Sequence, residues 1–204
     1  TISRAAKKII LAGLEKTSDD PDGQIGFKLH DFGQRGVSSR ESAGLGGAAH
    51  LVNFLGTDTT EGVLHAMDYY TSPMDATGFS IPAMEHSTVT VWGREHEGDA
   101  FKNMLEKSPG PIIACVSDSY DIYNAAVNIW GTELKQAVID SGKTVVIRPD
   151  SGDPVKVVIT ILEMLEQKFG SVVNSKGYKV LNNVRVIQGD GIDLRMIDLL
   201  CDSM

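Results

Sequence analysis

One recurring pattern constrains the fold of this chain more than any other feature. An apolar run is followed by a polar loop that contains aspartate, and a helical pattern then begins. The apolar runs of this pattern are residues 25–30, 51–55, 112–116, 144–148 and 184–187. Strands that alternate with helices are typical of a parallel α/β sheet, and continuous apolar runs fit strands covered on both faces. We therefore predict an α/β fold built as part of a (β/α)₈ barrel, with a doubly wound sheet as the alternative.

Local signals place several helix ends. Apolar residues from Ile2 to Leu14 recur on one helical face, so a helix is expected at the start. Ser38 and Glu41 fit a capping box, and Pro154 suits a first helical turn. Asp193 is the expected N-cap of the last helix. Further helices are expected from residue 59 to 70 and up to about residue 130, whereas residues 70–106 are less regular and are expected to leave the barrel.

Both ends of the chain lie inside helical patterns, and there is no initiator methionine. We therefore expect an internal segment of a longer protein. In this interpretation residues 1–22 form a helix that leads in from a missing N-terminal region. Residues 23–204 form a partial barrel domain that is truncated at its C-terminal end.

Charge and cysteine content exclude several classes of protein. The formal net charge is −8 and no run of Lys or Arg occurs, which argues against a nucleic-acid-binding surface. The two cysteines are far apart, so neither a zinc site nor a disulfide framework is expected. Cys115 lies in an apolar run and is predicted to be a core residue. No segment has the pattern of a membrane span or signal peptide, and a cytoplasmic location is expected.

Two loops after predicted strands could contact an anionic ligand. In residues 148–153, Arg148 offers a planar fork of donors and Asp150 could accept from sugar hydroxyls or reach Mg²⁺ through water. In residues 188–191, Gly189 permits close backbone approach beside Asp190, and the following helix N-terminus favours an anion. The structural alternative is an ordinary pair of turns between strands and helices.

Two other positions have side chains suited to chemistry. His86 follows Glu85 and precedes a serine, so it could act as a base, a phosphate ligand or a nucleophile. Arg35 could clamp a diphosphate, and Phe32 could stack on a planar ring. The alternatives are a structural histidine, a loop arginine paired with a carboxylate and a core phenylalanine. These residues together indicate an enzyme that binds an anionic, phosphorylated sugar, and they leave the reaction open.

Six sequence blocks resemble those of nicotinamide phosphoribosyltransferases, and they follow in the same order across nearly the whole chain. The blocks are residues 27–39, 50–59, 85–88, 116–124, 147–152 and 185–191. The resemblance implies a type II phosphoribosyltransferase α/β barrel, with its active site at the C-terminal strand ends, in a homodimer whose sites lie at the subunit interface. The implied substrates are nicotinamide and 5-phosphoribosyl 1-diphosphate, and the products are nicotinamide mononucleotide and diphosphate. Mg²⁺ and hydrolysis of ATP through a phosphohistidine are also implied.

The resemblance also implies residue roles for substrate binding. Phe32 would stack on the nicotinamide ring against a tyrosine from the partner subunit, and Asp58 would accept from the carboxamide NH₂. Arg148 would contact the nicotinamide as well. Gly189 and Asp190 would hold the ribose and 5-phosphate.

Further roles concern phosphate and proton chemistry. His86 would be the phosphorylated residue, oriented by Glu85, and Arg35 would hold phosphate oxygens. Asp118 and Asp150 would lie near Mg²⁺ and the ribose.

The chain departs from the family pattern at two positions. Gln34 stands where the family often has tyrosine, and Ala114 where it often has serine.

Other functions are also compatible with these residues. The nearest alternative is a nicotinate or quinolinate phosphoribosyltransferase, which Asp58 disfavours because its carboxylate would repel a carboxylate ligand. A non-catalytic binding protein on this fold is another, and a sugar-phosphate aldolase or isomerase is a third.

Overall fold

The amphipathic pattern at the start of the chain forms a helix in the structure, as predicted. The computed structural model describes residues 2–70 and 78–204. The chain divides into two compact units, Thr1–Ser80 and Ile81–Met204.

The first unit combines helices with very short strands. Its helices and strands, in chain order, are α1 (Ile2–Thr17), α2 (Pro21–Ile25), β1 (His30–Asp31), α3 (Arg40–Leu51), β2 (Gly56–Thr57) and α4 (Thr60–Tyr70), with a 3₁₀ helix at Gly33–Gly36. The predicted strand at 25–30 was wrong in extent, because α2 ends at Ile25 and β1 begins only at His30. The predicted strand at 51–55 was wrong, because α3 ends at Leu51 and β2 begins at Gly56. The predicted cap at Ser38 was wrong by one position, because Ser39 accepts the N–H of Ser42 at 3.1 Å.

The two strands of the first unit are parallel, with His30 opposite Gly56 and Asp31 opposite Thr57. Phe79 joins the free side of β2: its N–H donates to the Leu55 carbonyl at 2.8 Å, and its carbonyl accepts from the Thr57 N–H at 2.9 Å. Since all three segments run in the same direction, the residues that follow them lie at one edge of this small sheet.

Helices α3 and α4 approach so closely that only glycine fits at their contact. A methyl group built at Gly62 would lie 2.6 Å from Cα and 2.8 Å from the carbonyl carbon of Gly47. Both obstructing atoms belong to backbone, so no side-chain rotation relieves the overlap. The two glycines therefore set the distance between these helices.

Gly62→Ala is expected to destabilise the protein by about 3 kcal/mol, because the helices must separate to admit the methyl group. Urea denaturation measures the change. Gly46→Ala is the control: Gly46 lies on α3 next to Gly47, and nothing lies within 4 Å of its added methyl. There we expect a gain of about 0.5–1 kcal/mol from helix propensity. Equal effects at the two positions would contradict the close contact.

The second unit has the longer strands of the chain. Its helices are α5 (His86–Thr90), α6 (Glu97–Lys107), α7 (Ile122–Asn124), α8 (Lys135–Ser141), α9 (Pro154–Phe169) and α10 (Leu194–Ser203). Its strands are β3 (Ile112–Val116), β4 (Thr144–Arg148), β5 (Ser171–Val173), β6 (Lys179–Leu181) and β7 (Val184–Val186). A 3₁₀ helix covers Arg94–His96, and a π-helix covers Ala125–Glu133.

The predicted strands of the second unit are confirmed. Strands β3, β4 and β7 form a parallel sheet in the order β3-β4-β7, and Val116 lies opposite Arg148. Residue Ala83 pairs in parallel with Ala114 on the other side of β3. The α/β class with parallel strands is therefore confirmed, while closure into a barrel stays a prediction. The antiparallel pair β5–β6 was not predicted.

The core of the second unit lies between this sheet and its helices. Trp130 and Phe101 are fully buried and stack with ring centroids 4.8 Å apart. Cys115 is buried in the same core, and burial raises its pKa to about 12, so its predicted core role is confirmed. The helix expected up to about residue 130 is α-helical only over Ile122–Asn124 and continues as the π-helix.

Two other helix predictions in the second unit are confirmed. Pro154 is the first residue of α9, and Asp193 caps α10 by accepting the N–H of Met196 at 2.8 Å. The irregular stretch predicted at 70–106 includes residues 71–77, which lie outside the described residues, followed by α5 and most of α6. Among the described residues, no helix combines the length and apolar character needed to cross a bilayer.

Candidate active site

Polar residues follow each of the parallel segments in the second unit at the same edge of the sheet. Glu85 and His86 follow the segment around Ala83, and Asp118 follows β3. Asp150 follows β4, and the loop with Gly189 follows β7. Their backbones are linked there, because the Gly189 N–H donates to the Pro149 carbonyl at 2.9 Å and the Ser117 N–H donates to that of Arg148 at 3.0 Å.

His86 lies between two carboxylates. Its Nε2 is 3.0 Å from Asp118 Oδ1, and its Nδ1 is 3.8 Å from Asp150 Oδ2. An ionised carboxylate can only accept a hydrogen bond, so the proton of the neutral imidazole resides on Nε2 and the lone pair on Nδ1. The His86 side chain is 42% exposed, and a ligand can therefore approach that lone pair.

Asp118 is held as a buried carboxylate with several donors. Its side chain is 5% exposed, and Oδ2 accepts from the Asp150 N–H at 2.9 Å and from the Ser151 hydroxyl at 2.5 Å. Burial alone would raise the pKa of Asp118, but the hydrogen bonds from Ser151, Asp150 and His86 outweigh it and hold the pKa below its ordinary value. Asp118 therefore stays ionised beside His86 at neutral pH.

Arg148 ends β4 and is 3% exposed. Its Nη2 lies 3.8 Å from Glu85 Oε2 and 4.0 Å from Asp150 Oδ2. Glu85 is the N-cap residue of α5, and its carboxylate is placed toward Arg148. The orientation of His86 by Glu85 stays a prediction, because the carboxylates seen beside the His86 ring are those of Asp118 and Asp150.

Gly189 lies directly against Asp150. A methyl group built on Gly189 would be 1.9 Å from Asp150 Oδ1 and 3.3 Å from Arg148 Cδ. The sheet edge therefore requires glycine here for Asp150 to keep its position. The neighbouring Asp190 is exposed, and its carbonyl accepts from the Gln188 side chain at 2.9 Å.

The first unit carries a second polar cluster at the edge of its own small sheet. Asp58 Oδ2 lies 3.2 Å from His30 Nε2, and Asp58 Oδ1 accepts a hydrogen bond from the Ser80 hydroxyl. The rings of His30 and Phe32 are 4.8 Å apart. The predicted residues Phe32 and Asp58 are thus neighbours of the same histidine.

Arg35 and the two departures from the family pattern also have definite positions. Arg35 is exposed on the 3₁₀ helix. The side-chain oxygen of Gln34 accepts from the Thr60 hydroxyl at 3.0 Å, so it contacts the start of α4. Ala114 is buried in the middle of β3. Each replacement is accommodated locally, the first by a hydrogen bond and the second by packing.

Sequence reasoning missed several members of these clusters. Ser151 and His30 adjoin predicted site residues at strand ends, and that adjacency was the available signal. No sequence signal pointed to Ser80, because it follows a single bridged residue, Phe79, and not a predicted strand. Glu97 was also missed: it is 3% exposed, and burial raises its pKa to about 7.

Within the described residues, no set of three or more His, Cys, Asp or Glu side chains is arranged to hold a metal ion. Asp118 and Asp150 form a pair of neighbouring carboxylates linked through the Asp150 N–H. Mg²⁺ is commonly bound by one or two carboxylates together with substrate phosphates, and this pair fits that requirement.

The parallel strands and the helices that alternate with them place this chain in the α/β class. Comparison with known proteins defines the family. Residues 27–204 match the nicotinate phosphoribosyltransferase (NAPRTase) family. The chain belongs to this family.

Named relatives are similar over nearly the whole chain. The chain is 62% identical to a nicotinamide phosphoribosyltransferase of Xanthomonas campestris over 95% of its own length and 41% of the relative. It is 33% identical to the enzyme of that name from Mycoplasma pneumoniae, over 100% of the chain and 45% of the relative. For Acinetobacter baylyi the identity is 32%, over 100% of the chain and 44% of the relative. The chain therefore spans less than half the length of these relatives.

Proposed function

We propose that this chain carries much of the active site of an enzyme that makes nicotinamide mononucleotide. The enzyme transfers the phosphoribosyl group of 5-phosphoribosyl 1-diphosphate to nicotinamide and releases diphosphate, a step of NAD biosynthesis. The observation that carries the proposal is the cluster of His86, Asp118, Arg148 and Asp150 at one sheet edge, with His86 held between two carboxylates. The names of the relatives support the choice of nicotinamide.

Nicotinamide is bound by stacking and by its carboxamide. Phe32 stacks on the ring, with a tyrosine of the partner subunit on the other face, and Asp58 accepts from the carboxamide NH₂. Arg148 contacts the base as well. Stacking aligns the ring nitrogen with the anomeric carbon, and such alignment lowers the barrier without new covalent chemistry. The 41% exposure of the Asp58 side chain leaves its carboxylate open to a ligand.

The ring nitrogen forms a bond to the anomeric carbon as the bond to diphosphate breaks. The ribose becomes oxocarbenium-like during this displacement, and the negative charges of Asp118 and Asp150 stabilise it. These two residues would hold Mg²⁺ directly or through water, and the bound ion supplies charge neutralisation for the departing diphosphate. Gly189 and Asp190 hold the ribose and 5-phosphate region.

ATP stimulates the reaction through His86. The Nδ1 lone pair forms a bond to the γ-phosphorus of ATP, the bond to the bridging oxygen breaks, and ADP leaves. Water later cleaves the phosphohistidine to free phosphate. The ionised Asp118 keeps the proton on Nε2 and stabilises the charge that develops on the ring. Arg35 holds phosphate oxygens during these steps.

The remaining features follow the family pattern. The parallel strands form part of a type II phosphoribosyltransferase barrel with the active site at the carboxyl ends of its strands. The protein works as a homodimer in the cytoplasm, with sites at the subunit interface. The leading region at 1–22, which contains α1, precedes the barrel domain at 23–204.

Nicotinate is the second candidate substrate, because the matched family is described by that acid. The carboxylate of Asp58 opposes it. Two like charges at hydrogen-bonding distance repel, whereas a carboxamide donates to the same oxygens. The charge at residue 58 therefore decides between the two bases.

Asp58→Asn in the intact protein is expected to lower the preference for nicotinamide over nicotinate, measured as the ratio of kcat/KM values, by about tenfold or more. The change removes the negative charge and keeps the shape. Asp140→Asn, at an exposed position on α8, is the control and should leave the ratio unchanged. An unchanged ratio in Asp58→Asn would remove Asp58 from base recognition.

A further inference from the structure

We infer that Ser80 is a positioning residue that fixes the orientation of the Asp58 carboxylate and thereby contributes to base selection. The inference rests on the proposed role of Asp58 as the acceptor of the carboxamide. Ser80 belongs to the first unit together with Asp58 and His30.

The Asp58 carboxylate is contacted on both oxygens. The Ser80 hydroxyl donates to Oδ1, and His30 Nε2 lies 3.2 Å from Oδ2. Rotation about the Cβ–Cγ bond of Asp58 would break the hydrogen bond that the Ser80 hydroxyl donates, so this bond holds the plane of the carboxylate in one orientation.

The backbone on which these contacts depend is fixed independently of the Ser80 side chain. The Asp58 N–H donates to the Asp31 carbonyl at 2.9 Å. The N–H and the carbonyl of Phe79 are both hydrogen-bonded to the backbone of residues 55–57, at β2. A methyl group at Gly78 would lie 2.8 Å from Thr57 Cγ2, so the segment that carries Ser80 lies close against β2. Removal of the hydroxyl should consequently change the carboxylate and leave the small sheet intact.

The Asp58 side chain is 41% exposed, so a ligand can approach its carboxylate. A carboxamide NH₂ carries two donors in a fixed plane, so its binding depends on the orientation of the acceptor. A carboxylate that is free to rotate would keep its charge but would lose this alignment with the carboxamide.

The test compares Ser80→Ala and Ser80→Thr with the wild type in the intact protein, by steady-state kinetics with nicotinamide and with nicotinate. We expect Ser80→Ala to raise the nicotinamide KM roughly tenfold with kcat within about twofold, because one hydrogen bond to a charged group is lost. Ser80→Thr retains the hydroxyl and should restore the wild-type KM. Ser108→Ala makes the same chemical change at a serine that contacts Met104 and should have no effect.

A double variant separates positioning from direct contact with the base. In the Asp58→Ala background no side-chain oxygen remains for Ser80 to hold, so Ser80→Ala should raise the nicotinamide KM no further. Additive effects of the two changes would overturn the inference, as would an unchanged KM in Ser80→Ala while the wild type makes nicotinamide mononucleotide. Absence of that product from the wild type would instead overturn the proposed function, and the inference with it. Thermal melting of each variant shows whether it is folded, and a KM change with an unaltered Tm supports positioning.

Discussion

Gly189→Ala in the intact protein is expected to reduce nicotinamide mononucleotide formation by at least about 100-fold. The added methyl would lie 1.9 Å from Asp150 Oδ1, and the Gly189 N–H is anchored to the Pro149 carbonyl. The obstructing atom is the end of a side chain, so Asp150 can move aside at little cost in folding free energy. It then leaves its position 3.8 Å from His86 Nδ1 and 4.0 Å from Arg148. Activity should fall far more than stability.

The comparison that isolates this effect is a double-variant cycle. In the Asp150→Ala background the methyl no longer meets a carboxylate, so Gly189→Ala should cause little further loss. Gly46→Ala, whose methyl has open space, is the control for a glycine-to-alanine change. Wild-type activity in Gly189→Ala, or a loss of stability that accounts for the loss of activity, would contradict the account.

We expect incubation with ATP to stimulate the wild type and to leave acid-labile phosphate on it, and we expect His86→Asn to show neither effect. Asparagine has no ring nitrogen that can be phosphorylated, and its shorter side chain does not place an amide where Nε2 of His86 meets Asp118. The labelled phosphate should therefore fall by at least about 100-fold. Incorporation of ³²P from γ-labelled ATP, together with product rates with and without ATP, measures both quantities.

His96→Asn is the matched control for His86→Asn. His96 is an exposed histidine whose Nδ1 contacts Asp99 at 2.8 Å, so it too pairs with a carboxylate, but it is not part of the sheet-edge cluster. It should incorporate phosphate as the wild type does. Labelling that persists in His86→Asn and disappears in His96→Asn would show that His96, and not His86, is the phosphorylated residue.

Sequence patterns predicted the fold well where apolar runs coincide with strands. Strands β3 and β4 occupy the predicted residues 112–116 and 144–148. In the first unit the same kind of run failed as a signal, because buried apolar residues at a helix end and in a strand have similar composition. Asp20 and Pro21 begin α2, and this helix takes up the start of the run at 25–30.

The sequence predicts which residues lie at the strand ends of the candidate site, but it does not predict how their side chains are oriented. Parallel strands bring their carboxyl ends to one edge, so Asp118 and Asp150 were expected to be close, and the Asp150 N–H donates to Asp118 at 2.9 Å. The orientation of side chains is a tertiary property that spacing does not contain. Ser80 reaches Asp58 across 22 positions of the sequence, and no local pattern marks that contact.

The measurement that most directly tests the central claim is product analysis with the intact protein. Equal concentrations of nicotinamide and nicotinate would compete for 5-phosphoribosyl 1-diphosphate in the presence of Mg²⁺ and ATP, and the nucleotides would be separated and quantified. We expect nicotinamide mononucleotide as the main product. Nicotinate mononucleotide as the main product, or no nucleotide from either base, would contradict the proposed function.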